Sequence, residues 1–125
     1  MPEPLRADCA LRRLAAHGLP GCNDEPVTAD STDHLQLVAE RQRVLPQLYR
    51  AVRSGMVTNA TDRWVAQLRD RTMSAAETTL AAHAAAMEVT RRLHGIGIDD
   101  VVVLKGCATA HLDYERAVDR FSSDV

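Results

Sequence analysis

The apolar residues between about 61 and 94 recur at the spacing of an α-helix, so more than a quarter of the chain is predicted to form one long element. Alanines fill many of the positions between them, which favours a helix and permits close helix packing. We expect Gly95 to supply a left-handed cap and Gly97 to keep the following turn open, so that a strand can begin beyond them. The predicted apolar stripe consists of Trp64, Leu68, Met73, Ala76, Leu80, Ala84, Met87 and Leu93.

A second helical pattern runs from 33 to 53, with arginines mostly off its apolar face. Pro46 lies inside it and lacks a backbone donor, so we expect either a kink or two helices that meet near Val44. Asn59 or Thr61 is expected to cap the long helix that follows. The expected inward residues are Leu35, Val38, Leu45, Leu48, Tyr49 and Val52.

A short helix is expected within residues 5–17, ended by the glycines and proline that follow it. The stretch after it is rich in turn residues and lacks periodicity, which indicates a loop or linker that leads to a cap at Ser31 or Thr32. The residues expected to face inward in the short helix are Leu5, Cys9, Leu11 and Leu14.

Composition limits the possible functions. A chain of 125 residues, 46% of them hydrophobic, suffices for one domain with a modest core. A net charge of -2 gives no overall attraction to phosphate backbones, so nucleic acid is unproven as a partner, although a local arginine patch could bind RNA. With neither a signal-peptide pattern nor an apolar run of membrane-spanning length, the chain is expected to be cytoplasmic and to have no membrane partner.

The cysteines and histidines do not have metal-site spacing. Three widely spaced cysteines without a CxxC pair are interpreted as reduced thiols. No histidine pair has HExxH or comparable spacing, so histidine ligation of a metal is not expected.

The last 27 residues have a different pattern. The run VVVL is typical of a short strand buried on both faces, and Lys105-Gly106 closes it. Residues 107–114 can form about two helical turns, and FSSDV could open a second strand. Taken alone, VVVLKG indicates only a strand followed by a turn, because a match to so short a motif is too often accidental to indicate a function.

The order of these residues resembles the start of a nucleotidyltransferase of the DNA polymerase β superfamily, and most closely the bacterial "uncharacterised nucleotidyltransferase" family. Seventeen residues separate Gly106 from Asp124, as expected for that family, and the helical stretch AERQRVLPQLYRAVRSG also resembles it. DRFSSDV in addition resembles abortive-infection-type nucleotidyltransferase toxins. The matching residues are Gly97-Ile98, Val102 to Gly106, Tyr114, Arg120 and Ser123 to Val125.

The fold class that follows is mainly α: a helical bundle and then the truncated start of an α/β nucleotidyltransferase domain. The expected organisation is a short helix and linker over 1–30, a helical region over 31–98, and an incomplete nucleotidyltransferase palm over 99–125.

The resemblance also implies site residues. Nucleotidyl transfer uses Mg²⁺, which prefers carboxylate oxygens, and Asp124 matches the first acid of an Asp-x-Asp pair. Gly106 matches the turn at which backbone amides approach the phosphates of the NTP. The positive charge of Lys105 could interact with a phosphate, or the side chain could face a helix or a carboxylate. Arg120 could bind triphosphate or pair with Asp119 or Asp124.

Two functions remain open. In the first, the chain is the N-terminal portion of a nucleotidyltransferase, arising from a short reading frame, a frameshift or trimming, and is inactive alone because the second and third acids are absent. In the second, it is a non-catalytic helical binding or regulatory module that acts through protein association. Self-association, or association with a missing C-terminal part, is expected because the apolar strand should remain partly uncovered.

Overall fold

The computed structural model describes residues 3–22 and 24–102, and within them the chain is mainly helical. Four helices follow in order: α1 (Ala7–Ala15), α2 (Thr32–Arg41), α3 (Leu45–Arg53) and α4 (Asp62–Gly95). The chain divides into two compact units, Met1–Thr72 and Met73–Val125. The predicted mainly α fold is therefore confirmed, whereas the predicted palm over 99–125 lies almost entirely outside the described residues. The proposed domain boundaries at 30 and 98 stay a prediction.

Helices α2 and α3 begin where Ser31 and Pro46 predict. The Ser31 side chain accepts a hydrogen bond of 3.2 Å from the backbone N–H of His34, which caps α2. The pattern over 33–53 forms two helices, because Pro46 lies in the first turn of α3, where the missing N–H is tolerated. Arg43 adopts a left-handed conformation (φ 59°) between the helices.

The core of the first unit combines all the helices of that unit with the segments between them. The interior apolar residues of α2 and α3 are buried as predicted, except that Tyr49 is only half-buried. In α1 the predicted Leu11 and Leu14 are buried, but Cys9 is exposed. That prediction was wrong because the buried residues Ala7, Ala10, Leu11 and Leu14 follow the i, i+3, i+4, i+7 spacing of one helix face, and Cys9 lies on the opposite side of the helix.

The stretch predicted as a loop before α2 contributes to this core through two isolated parallel β-bridges. Val27 and Ala29 are buried and form bridges to Val57 and Leu5, respectively. The N–H of Val27 donates to the carbonyl of Met56 over 2.8 Å, and the N–H of Leu5 donates to that of Thr28 over 2.7 Å. These pairings satisfy backbone groups that burial would otherwise leave without partners.

Asn59 and Thr61, the two alternatives for the cap of α4, have separate roles. The Thr61 hydroxyl accepts from the backbone N–H of Trp64 over 3.2 Å, as a cap residue does. The Asn59 side chain instead pairs with the backbone of Ala29: its Oδ1 accepts at 3.1 Å and its Nδ2 donates at 2.8 Å. Thr61 is therefore the cap, and Asn59 joins the chain just before α4 to the backbone of Ala29.

A buried polar network connects α2 with the beginning of α4. Gln36 is buried, and its Oε1 accepts from the Trp64 indole N–H at 3.1 Å and from Gln67 Nε2 at 3.2 Å. Its Nε2 donates to Glu40 over 3.4 Å, and Arg71 lies 3.6 Å from the same carboxylate oxygen. Because both the side-chain oxygen and the side-chain nitrogen of Gln36 have hydrogen-bond partners, its burial is compatible with a stable core.

The predicted apolar stripe of α4 is buried only in the first unit. Trp64 and Leu68 are core residues, but Met73, Leu80 and Met87 are 58%, 55% and 74% exposed. Among the described residues from Met73 to Val102, the buried side chains are Thr79, Ala82, His83 and Ala86. The prediction that the methionines are core residues was wrong, because these four residues, spaced i, i+3, i+4 and i+7, form a different buried face of α4.

Candidate functional site

The residues that the sequence places in the site, Lys105, Gly106, Arg120 and Asp124, all lie outside the described residues. Half of the predicted strand over 101–104 lies outside them as well: residues 101–102 are described and form no strand, and 103–104 are not described. The described chain does reach Val102, three residues before Lys105. The structure therefore defines the approach to the predicted site, namely the end of α4 and the turn after it.

The end of α4 is a Schellman cap. The N–H of Ile98 donates to the carbonyl of Leu93 over 2.9 Å, and the N–H of Gly97 donates to that of His94 over 3.0 Å. These are the two bonds that define this motif, with the left-handed residue between them at C′. Gly97 has φ +89° and occupies that position.

The cap corrects the predicted role of Gly95. Gly95 is the last helical residue and does not have a positive φ, so Gly97 supplies the left-handed conformation. The sequence contains a pattern that indicates Gly97 as the left-handed residue. Leu93 and Ile98 are the apolar residues at C3 and C″ that commonly accompany a Schellman motif, and they place C′ at Gly97.

The arginines nearest to this cap already have an acidic partner. Glu88 accepts from Arg91 at 2.7 and 2.9 Å and from Arg92 at 2.9 Å. The hydrogen bonds from Arg91 and Arg92 hold the pKa of the Glu88 carboxyl below its usual value, and Glu88 raises the pKa of Arg91. One carboxylate thus compensates part of the positive charge in the last turns of α4, so we assign no phosphate contact to this pair.

Beyond the cap the chain becomes exposed. The N–H of Val101 donates to the carbonyl of Asp99 over 3.1 Å, which forms a tight turn. Val102 is 78% exposed, and Asp99 and Asp100 are also exposed. The chain thus leaves the cap through two exposed aspartates, and the described residues end at Val102.

The described residues show no cluster of metal-ligand type, and one small cavity lies in the first unit. Among residues 3–22 and 24–102, no group of three or more His, Cys, Asp or Glu side chains is placed to hold a metal. A cavity of about 10 Å³ is lined by Arg13, Leu14, His17, Asp24, Glu25 and Met56. It has room for about one water molecule, whereas pockets for small molecules occupy about 300–1,000 Å³.

The His17 side chain in that cavity has a local structural role. Its Nδ1 lies 3.0 Å from Asp24 Oδ1, so the pair connects the turn after α1 to the segment that follows it. Across residues 3–22 and 24–102, none of the helices combines the length and apolarity that crossing a bilayer requires.

Comparison with known proteins assigns the class. A family model described as "Uncharacterised nucleotidyltransferase" matches residues 28–125, which include the helices from α2 onward, the Schellman cap and all four predicted site residues. The match covers more than three quarters of the chain. The chain belongs to this family of uncharacterised nucleotidyltransferases, which confirms the resemblance seen in the sequence and supports a nucleotidyltransferase-type function.

The other comparisons add no relative. No curated protein and no solved structure matches the chain. The predicted similarities to the wider DNA polymerase β superfamily and to abortive-infection toxins stay predictions.

Proposed function

We propose that residues 99–125 contribute to a Mg²⁺-dependent site that transfers a nucleoside monophosphate from an NTP to an acceptor. The observation that carries this proposal is the family match, which extends through the whole segment. The helical region before it would support the segment, since the match begins just before α2.

The proposed metal ligand is Asp124. A carboxylate is the donor that a hard cation such as Mg²⁺ prefers, so the chemistry of this residue fits the metal. When bound, the ion would neutralise charge on the triphosphate. No group among the described residues competes for this role, because residues 3–22 and 24–102 contain no acidic or histidine cluster of ligand geometry.

The proposed phosphate contacts are at Gly106 and its neighbours. A glycine at a turn lets backbone N–H groups approach phosphate oxygens where a side chain would obstruct them. Lys105 would add a point charge beside that turn, and Arg120 would bind the triphosphate or hold an aspartate in place. The ion pairs of Glu88 already engage Arg91 and Arg92, which favours Lys105 and Arg120 as the basic residues of this site.

We expect Asp124→Asn to weaken Mg²⁺-dependent NTP binding at least about tenfold, because the substitution removes a charged metal ligand. The measurement is isothermal titration of the chain with ATP, GTP, CTP and UTP, each with Mg²⁺ and with EDTA. The matched control is Asp70→Asn, whose side chain is 74% exposed on α4 and should leave affinity unchanged. Equal affinity of the wild type and Asp124→Asn would remove Asp124 from the site.

Turnover is tested separately from binding. The resemblance implies three carboxylates in the complete site, and Asp124 is the acid that this sequence matches. We therefore expect the chain of 125 residues to bind nucleotide without transferring it in an assay with radiolabelled NTP and Mg²⁺. Transfer that disappears in Asp124→Asn would show instead that these residues suffice for catalysis.

One observation favours a second function, a non-catalytic module that acts by protein association. Met73, Leu80 and Met87 are spaced seven residues apart on α4, share one face and are each more than half exposed. Exposed apolar side chains grouped in this way are typical of interaction surfaces.

If this second function holds, the chain should self-associate, and Met87→Gln should weaken the association severalfold because Met87 is 74% exposed. Sedimentation velocity over a range of protein concentrations measures the effect. Leu19→Gln is the control, since Leu19 is 60% exposed but lies outside α4. A chain that remains monomeric at every concentration would exclude self-association through this face.

A further inference from the structure

A second row of exposed side chains runs beside the exposed apolar row of α4. Seven residues make about two helical turns, so the residues at 73, 80 and 87 form one row and those at 77, 84 and 91 form the next. Members of the two rows are i, i+4 neighbours, and all of them are exposed. Together the rows form one surface, the α4 seam, which consists of Met73, Glu77, Leu80, Ala84, Met87 and Arg91.

The charges of the α4 seam are opposite at its two ends. Glu77 lies seven residues before Ala84, and Arg91 lies seven residues after it. The two charged residues are about 21 Å apart along the helix, too far for an ion pair within one chain. Within residues 3–22 and 24–102, Glu77 takes part in no ion pair. Opposite charges at equal distances from a small central residue make the seam complementary to a reversed copy of itself.

Arg91 retains donors for a second carboxylate. Its Nε and Nη2 donate to Glu88 at 2.9 and 2.7 Å, whereas a guanidinium has five N–H donors in all. Glu88 also accepts from Arg92, so this group of three side chains has one negative and two positive charges. The Arg91 side chain is 72% exposed. A carboxylate from another molecule can therefore reach Arg91, and it would neutralise the remaining charge.

The centre of the α4 seam suits close packing of two helices. Ala84 is exposed and small, so another helix can approach closely there. Leu80 and Met87 lie on either side of it and are 55% and 74% exposed. In an antiparallel pair centred on Ala84, Leu80 of one copy would lie beside Met87 of the other. Both apolar side chains would then be covered.

Building on the second function, we propose that the α4 seam binds a second copy of this chain, antiparallel about a two-fold axis at Ala84, with Glu77 of each copy paired with Arg91 of the other. A two-fold interface repeats each contact, so two ion pairs form. A parallel pair would place Glu77 against Glu77 and Arg91 against Arg91, which the repulsion of like charges disfavours. The charges thus select the orientation, and the apolar row supplies the buried area.

Charge reversal tests the pairing. Glu77→Arg should weaken the dimer about fivefold or more, because two attractive pairs become repulsive. Glu77→Arg combined with Arg91→Glu should restore most of the lost affinity, since the attraction returns with the charges exchanged. Sedimentation equilibrium at low ionic strength measures both effects, because salt screens exposed charges. Thr78→Arg is the matched control: it introduces the same side chain at an exposed position of α4 outside the seam and should leave the dimer unchanged.

Disulfide cross-linking tests the orientation, in a chain whose three native cysteines are replaced by serine. Ala84→Cys should give an oxidised covalent dimer, because position 84 meets its own copy at the axis, within the short Cα separation that a disulfide needs. Glu77→Cys should give none, because the two copies of position 77 lie about 21 Å apart in the antiparallel pair. In a parallel pair both variants would cross-link.

The outcomes distinguish this pairing from the second function on which it rests. A chain that is monomeric at every concentration overturns both. A dimer that Glu77→Arg weakens no more than Thr78→Arg does, or that cross-links through Glu77→Cys, overturns only the antiparallel pairing. Weakening by Glu77→Arg, recovery in the doubly reversed variant and cross-linking through Ala84→Cys alone would support it.

Discussion

Leu68→Ala should lower the free energy of unfolding of the first unit by about 3 kcal/mol, within the range of about 2–5 kcal/mol observed for buried leucines. Leu68 is fully buried, in the same core cluster as Trp64 and Leu48. Its truncation removes apolar contacts and leaves a cavity that neighbouring helices fill only in part. A small domain has a total stability of about 5–15 kcal/mol, so this single change would consume a large share of it.

The measurement is urea denaturation followed by the fluorescence of Trp64, which is the only tryptophan of the chain and is itself buried in this core. Leu80→Ala is the matched control, because it makes the same change on the same helix at a side chain that is 55% exposed. It should cost less than about 1 kcal/mol, since little apolar surface returns to water and alanine favours helix. Equal losses in the two variants would contradict the assigned burial.

Gln36→Met should destabilise the first unit by about 2 kcal/mol although it preserves side-chain length. The substitution removes the oxygen that accepts from the Trp64 indole N–H at 3.1 Å and from Gln67 at 3.2 Å. The indole N–H would then be buried without an acceptor, and an unsatisfied buried donor costs about 1–3 kcal/mol. Chemical denaturation followed by circular dichroism measures the change.

A double-mutant cycle tests the cause of this loss. Trp64→Phe removes the donor, so in the double variant with Gln36→Met no indole N–H remains unpaired. The double variant should therefore lose less stability than the sum of the losses in the two single variants. Gln67→Ala is the control, because Gln67 is an exposed donor to the same oxygen and should cost less than about 1 kcal/mol. Strict additivity would show that Gln36 stabilises the unit by packing and not through this hydrogen bond.

The helix boundaries could be predicted because their signals are local. Ser31 caps α2, Thr61 caps α4, and Pro46 divides the middle pattern into two helices near Val44, each as a short stretch of sequence indicates. A cap or a proline acts within one turn of its own position, so the rest of the fold need not be known.

Which face of a helix is buried could be predicted only in part. The stripe of α4 is correct at Trp64 and Leu68 and wrong at Met73 and Met87. Periodicity identifies apolar faces, but an alanine-rich helix has more than one face that can pack, and the neighbouring elements select among them. In α1, small alanines at positions 7 and 10 complete the face of Leu11 and Leu14, and Cys9 lies on the exposed side.

The candidate site depended on a different kind of signal. Gly106, Arg120 and Asp124 were assigned by resemblance to a family, and the family match over residues 28–125 confirms the family without testing these residues individually. The role of Gly97 came from the backbone. Two glycines lie close together at the end of α4, and the hydrogen bonds and φ identify Gly97 as the left-handed one, in agreement with the apolar pair Leu93 and Ile98 in the sequence.

The sequence by itself determined the four helices, most of their ends and the family, because propensity, capping and motif order are properties of neighbouring residues. Only the tertiary structure decided that Val27 and Ala29 form β-bridges to Val57 and Leu5, that Gln36 is buried against Trp64, and that Asn59 pairs with Ala29. These contacts join residues that are between 24 and 30 positions apart. Such pairings depend on the chain packing as a whole, which satisfies buried polar groups from distant segments and leaves no local trace in the sequence.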